Sequence, residues 1–179
     1  AYAHRENNNT LSENSAIEKL EKRYTGLEVE QYTITNKNDL DKPLTENIDF
    51  STNNEIEQIG NKLYFNPLLF YAMSQNPFKE ETRDFPIDYI YPYQDRYNVT
   101  IKIPEGYKVE ELPSPLAIAT EGNYCSFKYN FSQNGNQIQV SATFEINHSS
   151  VPASHYSVLK DFYKKMLEKQ NEKIVLVKI

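Results

Sequence analysis

A single cysteine, no tryptophan, five glycines and no long apolar run define this 179-residue chain by what it lacks. One cysteine excludes an internal disulfide, so cysteine usage leaves the redox compartment open. Five glycines and nine prolines argue against low-complexity sequence or a repeat array. No stretch approaches the ~20 apolar residues of a membrane-spanning helix, so no membrane span is expected. Three histidines are few for a metal centre, and His148, His155 and Asp161 follow no zinc-ligand spacing. "NKNDLD" (36–41) faintly resembles a calcium loop, but it lacks the glycine and the closing glutamate, and turn chemistry explains it. No cofactor is expected. Basic clusters are missing as well. The 19 Lys and Arg against 25 Asp and Glu leave a formal charge of −6, and the basic residues are interleaved with acids, as in "EKLEKR". That balance argues against nucleic acid as a partner.

What the chain does have is aromatic residues, 14 Tyr and 9 Phe, within a hydrophobic fraction of 39%. That is enough for a sizeable core, and no linker divides the sequence, so residues 1–179 are expected to form a single domain. Residues 1–12 are expected to form a polar, flexible lead-in, and the abrupt start suggests a piece of a longer protein. A helix is predicted over about 13–25, with Ser15 and Glu18 as a capping box and Gly26 at its stop. "LEVEQYTIT" alternates with a slip between Val29 and Tyr32 that an extra residue would restore, the mark of a bulged strand. Gly60-Asn61 sits between two apolar arms and reads as a hairpin turn. Two Asn-Pro steps bracket residues 66–83, where the period of two is lost; a loop with a short helical turn is expected there.

The clearest element is "CSFKYNFSQNGNQIQVSATFEI" (125–146). Asn134-Gly135 is the strongest two-residue hairpin signal, and it sets Phe131 opposite Ile138, Tyr129 opposite Val140, Phe127 opposite Ala142 and Cys125 opposite Phe144. These eight residues share one face, while the other face carries Ser, Lys, Asn, Gln and Thr. A C-terminal helix is predicted over about 152–170, with Tyr156, Leu159, Phe162, Tyr163 and Met166 inward and Lys160, Asp161, Lys164, Lys165 and Lys169 outward, followed by a strand over 173–179. The β-rich body spans 26–150. The expected fold class is therefore mainly β: an antiparallel two-layer β-sandwich with an N-terminal and a C-terminal helix packed on it.

Two candidate sites stand out. Cys125 would need a histidine to act as a nucleophile. The predicted ladder places His148 opposite Glu121, four residues away or roughly 13 Å, so Cys125 is expected to be a buried core residue. The tyrosine-rich run "YIYPYQDRY" is the better candidate for a binding surface. Tyr89, Tyr91, Tyr93 and Tyr97 could stack on a sugar or peptide, with Asp95 and Arg96 as polar contacts. The competing reading has these tyrosines filling strand ends with wet hydroxyls.

Several segments, in order, resemble the C-terminal domain of unknown function that follows the transglutaminase-like core in exported proteins of Gram-negative bacteria. They are "NDLDKPL", "IGNKLYFNPLLF", "NPFKEETRDFPIDYIYPYQDRYNVTIKIPEGYKVEELP" and "YSVLKDFYKKMLEKQNEKIVL", over roughly residues 25–179. The resemblance implies a β-rich, non-enzymatic accessory domain in a periplasmic or cell-surface protein. Its implied partner is the neighbouring transglutaminase-like domain of the same parent chain, with an independent carbohydrate- or peptide-binding module as the alternative. The Cys-His-Asp triad motifs of the core are absent from this sequence, so no catalytic residue carries over.

Overall fold

The computed structural model describes residues 12–179, and all but the last residue of the lead-in expected at 1–12 lies outside them. The chain divides into two compact units, Ala1–Glu55 and Ile56–Ile179. Each unit is described by itself.

In the first unit, helix α1 (Glu13–Arg23) starts at Ser12, whose side chain accepts from the Ser15 backbone N–H. Ser15, expected to be the cap, lies one turn inside the helix. Ser12 has the extended backbone that an N-cap needs, and Ser15 does not. The helix is followed by a two-stranded antiparallel hairpin, β1 (Leu27–Thr35) and β2 (Thr45–Thr52). The ladder shifts between Val29 and Gln31, which is the bulge expected from the sequence. Glu21 accepts a hydrogen bond from the Val29 N–H at 2.9 Å and ties helix to strand. Tyr32 donates to Glu46 across the hairpin at 2.7 Å.

The second unit contains β3 (Ile56–Ile59), β4 (Lys62–Phe65), β5 (Ile87–Asp88), β6 (Tyr93–Lys102), β7 (Tyr107–Glu111), β8 (Leu116–Ala119), β9 (Cys125–Asn134), β10 (Gln137–Ile146), β11 (Ser150–Val151), helix α2 (Tyr156–Gln170) and β12 (Ile174–Lys178). Two four-stranded antiparallel sheets, ordered β6-β10-β9-β8 and β3-β4-β12-β7, form the sandwich, and among the described residues β5 pairs only with β11. The Gly60-Asn61 turn is as expected, with Ile59 paired to Lys62. Among the described residues the mainly-β class with a helix near each end holds.

The β9–β10 hairpin differs from expectation by two residues. Asn134 pairs with Gln137, so the turn is Gly135-Asn136, with Gly135 at φ +58 in the first central position. That is the primed turn with Gly first, whose twist suits antiparallel strands as well as an Asn-Gly turn does. Phe131 now faces Val140, Tyr129 faces Ala142, Phe127 faces Phe144 and Cys125 faces Ile146. Because the shift is even, no side chain changes face. The inward set is buried as the alternation requires: Cys125, Phe127, Tyr129 and Ile138 at 0% exposure, with Val140, Ala142 and Ile146 beside them.

Onto this face close Phe65, Ile174 and Leu176 of the other sheet and Tyr156, Leu159, Phe162, Tyr163 and Met166 of α2, in one core. Phe144 packs edge-on against Tyr163, with ring centroids 5.7 Å apart. Lys169, expected to face solvent, is buried instead. Its ammonium is held by the Ser114 carbonyl (3.1 Å), the Ser114 hydroxyl (3.2 Å) and Glu172 (2.7 Å). A lysine with all three donors used can leave water without leaving its charge unpaired.

The long segment between β4 and β5 has no ladder of its own beyond one 3-10 turn at Leu69–Tyr71, yet it is fixed. Both Asn-Pro steps serve it in the same way. Asn66 accepts from the Leu68 N–H and donates to the Gln170 carbonyl; Asn76 accepts from the Phe78 N–H and donates to the Lys160 carbonyl. Each asparagine thus closes a local turn and straps the loop to α2. Between the straps, Gln170 accepts from the Met73 N–H and Asn171 donates to the Met73 carbonyl. Phe78 then packs edge-on against Tyr156 and Tyr163.

Phe127→Ala is expected to lower unfolding free energy by about 3–5 kcal/mol, the usual cost of deleting a buried aromatic ring. Urea denaturation of the two proteins checks it, and equal stability would show that this face does not carry the core.

Candidate functional site

Cys125 lies at the start of β9 and is fully buried. Its backbone is pinned by Thr120, which accepts from the Cys125 N–H through its hydroxyl at 3.0 Å. Burial alone pushes the thiol up to about 12. A nucleophilic cysteine needs the opposite, a lowered value and an open approach. The shifted hairpin register also moves His148. It lies beside Tyr124 rather than opposite Glu121, and the Tyr124 ring has His148 at 5.1 Å and His155 at 5.0 Å. Both histidines therefore pack on an aromatic ring, and His155 also contacts Ser154 at 3.2 Å. Among the described residues no three His, Cys, Asp or Glu side chains gather where a metal could sit.

The tyrosine-rich run does not form one exposed face. Tyr93 and Tyr97 point from β6 toward the core, and Tyr89 joins them there. The Tyr89 and Tyr163 hydroxyls meet at 3.3 Å, and burial raises Tyr89 to about 12. Tyr93 packs on Tyr89 and Phe144, and Tyr97 packs on Tyr71. Asp95 and Arg96 are exposed on β6, and of the four tyrosines only Tyr91 is exposed, at 61%. The structure thus brings Tyr89 and Tyr93 together inside and leaves Tyr91, Asp95 and Arg96 outside.

Just before β6 the chain does something the sequence reading missed. Ile90 has φ +70, a conformation that is a genuine outlier for a β-branched residue. The Tyr91 N–H donates to the Tyr89 carbonyl at 2.8 Å, so Ile90 is the centre of the rare left-handed γ-turn. Asp88 braces it by accepting from the Ile90 N–H at 2.7 Å. Strain of this type costs about 1–3 kcal/mol and persists only where the surroundings impose it. The turn displays Ile90 at 79% exposure, and Phe85, five residues earlier, is 76% exposed. No local signal marks it: "DYIYP" carries no Gly or Asn to take the positive φ.

On the outer face of the β9–β10–β6 sheet, Glu145 accepts from Ser126 at 2.6 Å and from Gln94 at 2.5 Å. These two hydrogen bonds hold its carboxyl below the usual carboxylate range. In the core, the Tyr129 hydroxyl is buried with no partner among the described residues. Burial raises its pKa, and Glu172 adds to the rise.

The profile of one protein family matches residues 61–176, which run from β4 into β12. The chain belongs to that family. It is described as a domain of unknown function with solved structure, DUF3858, and within this chain it occupies most of the second unit. No curated protein matches the chain. Among solved structures, the chain is similar to a "putative protease" from Parabacteroides distasonis, at 16% identity and a TM-score of 0.47 over 55% of this chain. The matched part spans 19% of that protein's length.

Three outcomes follow. Cys125 of the DUF3858 domain is expected to resist a thiol reagent in the native state and to react fully after denaturation; prompt reaction of the folded protein contradicts its placement. Tyr129→Phe is expected to keep or raise stability, because it removes a buried hydroxyl that lacks a partner. Glu145 has a folded pKa below its unfolded value of about 4.3, so its stabilisation is present above that value and is lost as pH falls through the lowered one. The acid limb of the stability curve should flatten in Glu145→Gln, as read from denaturation midpoints at pH 2–7.

Proposed function

We propose that this chain is a non-catalytic accessory domain of a longer, exported transglutaminase-like protein, and that it docks on the neighbouring domain through the strained turn before β6. The observation that carries the reading is the solvent exposure of Phe85, Ile90 and Tyr91, between 61% and 79%, with Ile90 itself held at positive φ. Large apolar side chains displayed on a rigid turn suit a protein interface, where a few aromatic and aliphatic anchors carry most of the binding energy. The buried, unreactive environment of Cys125 supports a role without chemistry. The resemblance of "NPFKEETRDFPIDYIYPYQDRYNVTIKIPEGYKVEELP" to the domain that follows transglutaminase-like cores supports both the parent and its export. The inward packing of Tyr89, Tyr93 and Tyr97 leaves the alternative, a sugar- or peptide-binding tyrosine face, with Tyr91 as its one exposed ring.

Titration of the 179-residue chain against the transglutaminase-like domain upstream in its own parent protein tests the reading. Saturable association is expected, at least about tenfold weaker for Ile90→Asn, as for loss of an interface anchor. Asn tolerates positive φ, so this variant should melt no lower than the parent. No association, or undiminished association in Ile90→Asn and Tyr91→Ala, overturns it.

A further inference from the structure

Two cavities adjoin where β6 ends and the chain turns into β7. The first is an apolar slot of about 280 Å³ between the two sheets, whose walls include Leu63, Phe65, Leu69, Val99, Ile101 and Leu176. Asn66 and Thr100 also line it, but their side chains are engaged, Asn66 with Leu68 and Gln170 and Thr100 with Gln139. The slot therefore offers water few partners, and an apolar occupant suits it. Leu69 enters the wall from a backbone at φ +50, which is uncommon for a bulky residue and costs free energy to hold. The second cavity is an open, polar recess of about 700 Å³ between the Pro104–Gly106 turn and the β9–β10 turn, with Lys102, Glu105, Tyr107, Lys108, Gln133 and Asn136 around it. Lys102 and Pro104 line both cavities, so the slot gives onto the recess. Both lysines are exposed, and neither is in an ion pair among the described residues. Against them the recess sets one carboxylate, Glu105.

We propose that slot and recess together bind one single-chain amphiphile with an anionic head. The alkyl chain fills the slot, and the head lies in the recess against Lys102 and Lys108. An apolar cavity of about 150 Å³ holds one benzene, so a slot of this size takes roughly twice as many carbons, a chain of about ten. Charge decides the head. Two cations against one carboxylate favour an anion, and lysine binds phosphate well as a point charge. A neutral apolar molecule would fill the slot and leave the recess unused; free phosphate would do the reverse. The site shares no residue with the docking turn, so either can fail alone.

The test is isothermal titration calorimetry of the full chain with decyl phosphate, kept below the concentration at which it forms micelles. Octyl phosphate, decyl maltoside and inorganic phosphate are the comparisons. Saturable binding of decyl phosphate is expected, about fourfold weaker for each methylene removed. Decyl maltoside should bind more weakly, and inorganic phosphate not measurably. Lys102→Glu should weaken decyl phosphate about fivefold, the size of an exposed charge interaction, and leave decyl maltoside unchanged. Leu69→Asn should weaken both decyl ligands without unfolding the chain, because asparagine tolerates positive φ. Lys102→Glu is a surface change, so it remains informative if Leu69→Asn fails to fold. No binding of decyl phosphate, equal affinity for octyl and decyl phosphate, equal affinity for decyl phosphate and decyl maltoside, or unchanged decyl phosphate affinity in Lys102→Glu overturns the proposal.

Discussion

The structure of the second unit depends on one constraint: a single face of the β9–β10 hairpin must be covered. Cys125, Phe127, Tyr129, Ile138, Val140, Ala142 and Ile146 form a strip too apolar to leave in water, and no one element is wide enough to cover it. The β4–β12 pair covers it from one side and α2 from another. At about 25 cal/mol per Å² of apolar surface, this burial is the main force that the conformational entropy of the chain has to be set against. Cys125 belongs to this strip, which accounts for its burial.

Once α2 is fixed on that face, it organises what the sheets leave loose. The 66–86 segment has almost no backbone pairing of its own, but Asn66, Asn76, Gln170 and Asn171 tie it to the helix, and the Tyr156 hydroxyl and Lys160 ammonium reach the Glu80 carbonyl. The segment that follows carries the strained Ile90 turn and then β6. A backbone held at positive φ at a β-branched residue needs a rigid frame on either side, and the Tyr89–Tyr163 contact and the β5–β11 pair provide it. The surface features follow from this arrangement. Cys125 is sealed in the interior, and the Ile90 turn is displayed to solvent.

Much of this was legible in the sequence, for identifiable reasons. Period-two alternation located β9 and β10 and their faces, and the slip between Val29 and Tyr32 located the bulge. The hairpin register was not legible, because Asn134-Gly135 and Gly135-Asn136 are both acceptable turns whose cross-strand pairings differ by two residues, which leaves every face unchanged. The turn after β6 runs from the Pro104 carbonyl to the Tyr107 N–H, with Gly106 at φ +80 in the third position. Lys169 looked exposed because its periodicity places it on the charged side, and only tertiary structure brings Ser114 to its ammonium. The straps from Asn66 and Asn76 span 104 and 84 residues, beyond any local pattern. At the candidate surface, alternation correctly allowed for tyrosines packed inward, but no local rule predicts Ile90 at a position that ordinarily requires glycine.

Amide hydrogen exchange tests the central claim most directly. If the β9–β10 face is what the unit is built around, amides of Phe127, Tyr129, Val140 and Ala142 should exchange only through global unfolding, with the free energy found by denaturation. Amides of 84–92 should open at lower cost. If the β9–β10 amides exchange as readily as those of 84–92, the hairpin is not the element on which the rest of the structure depends.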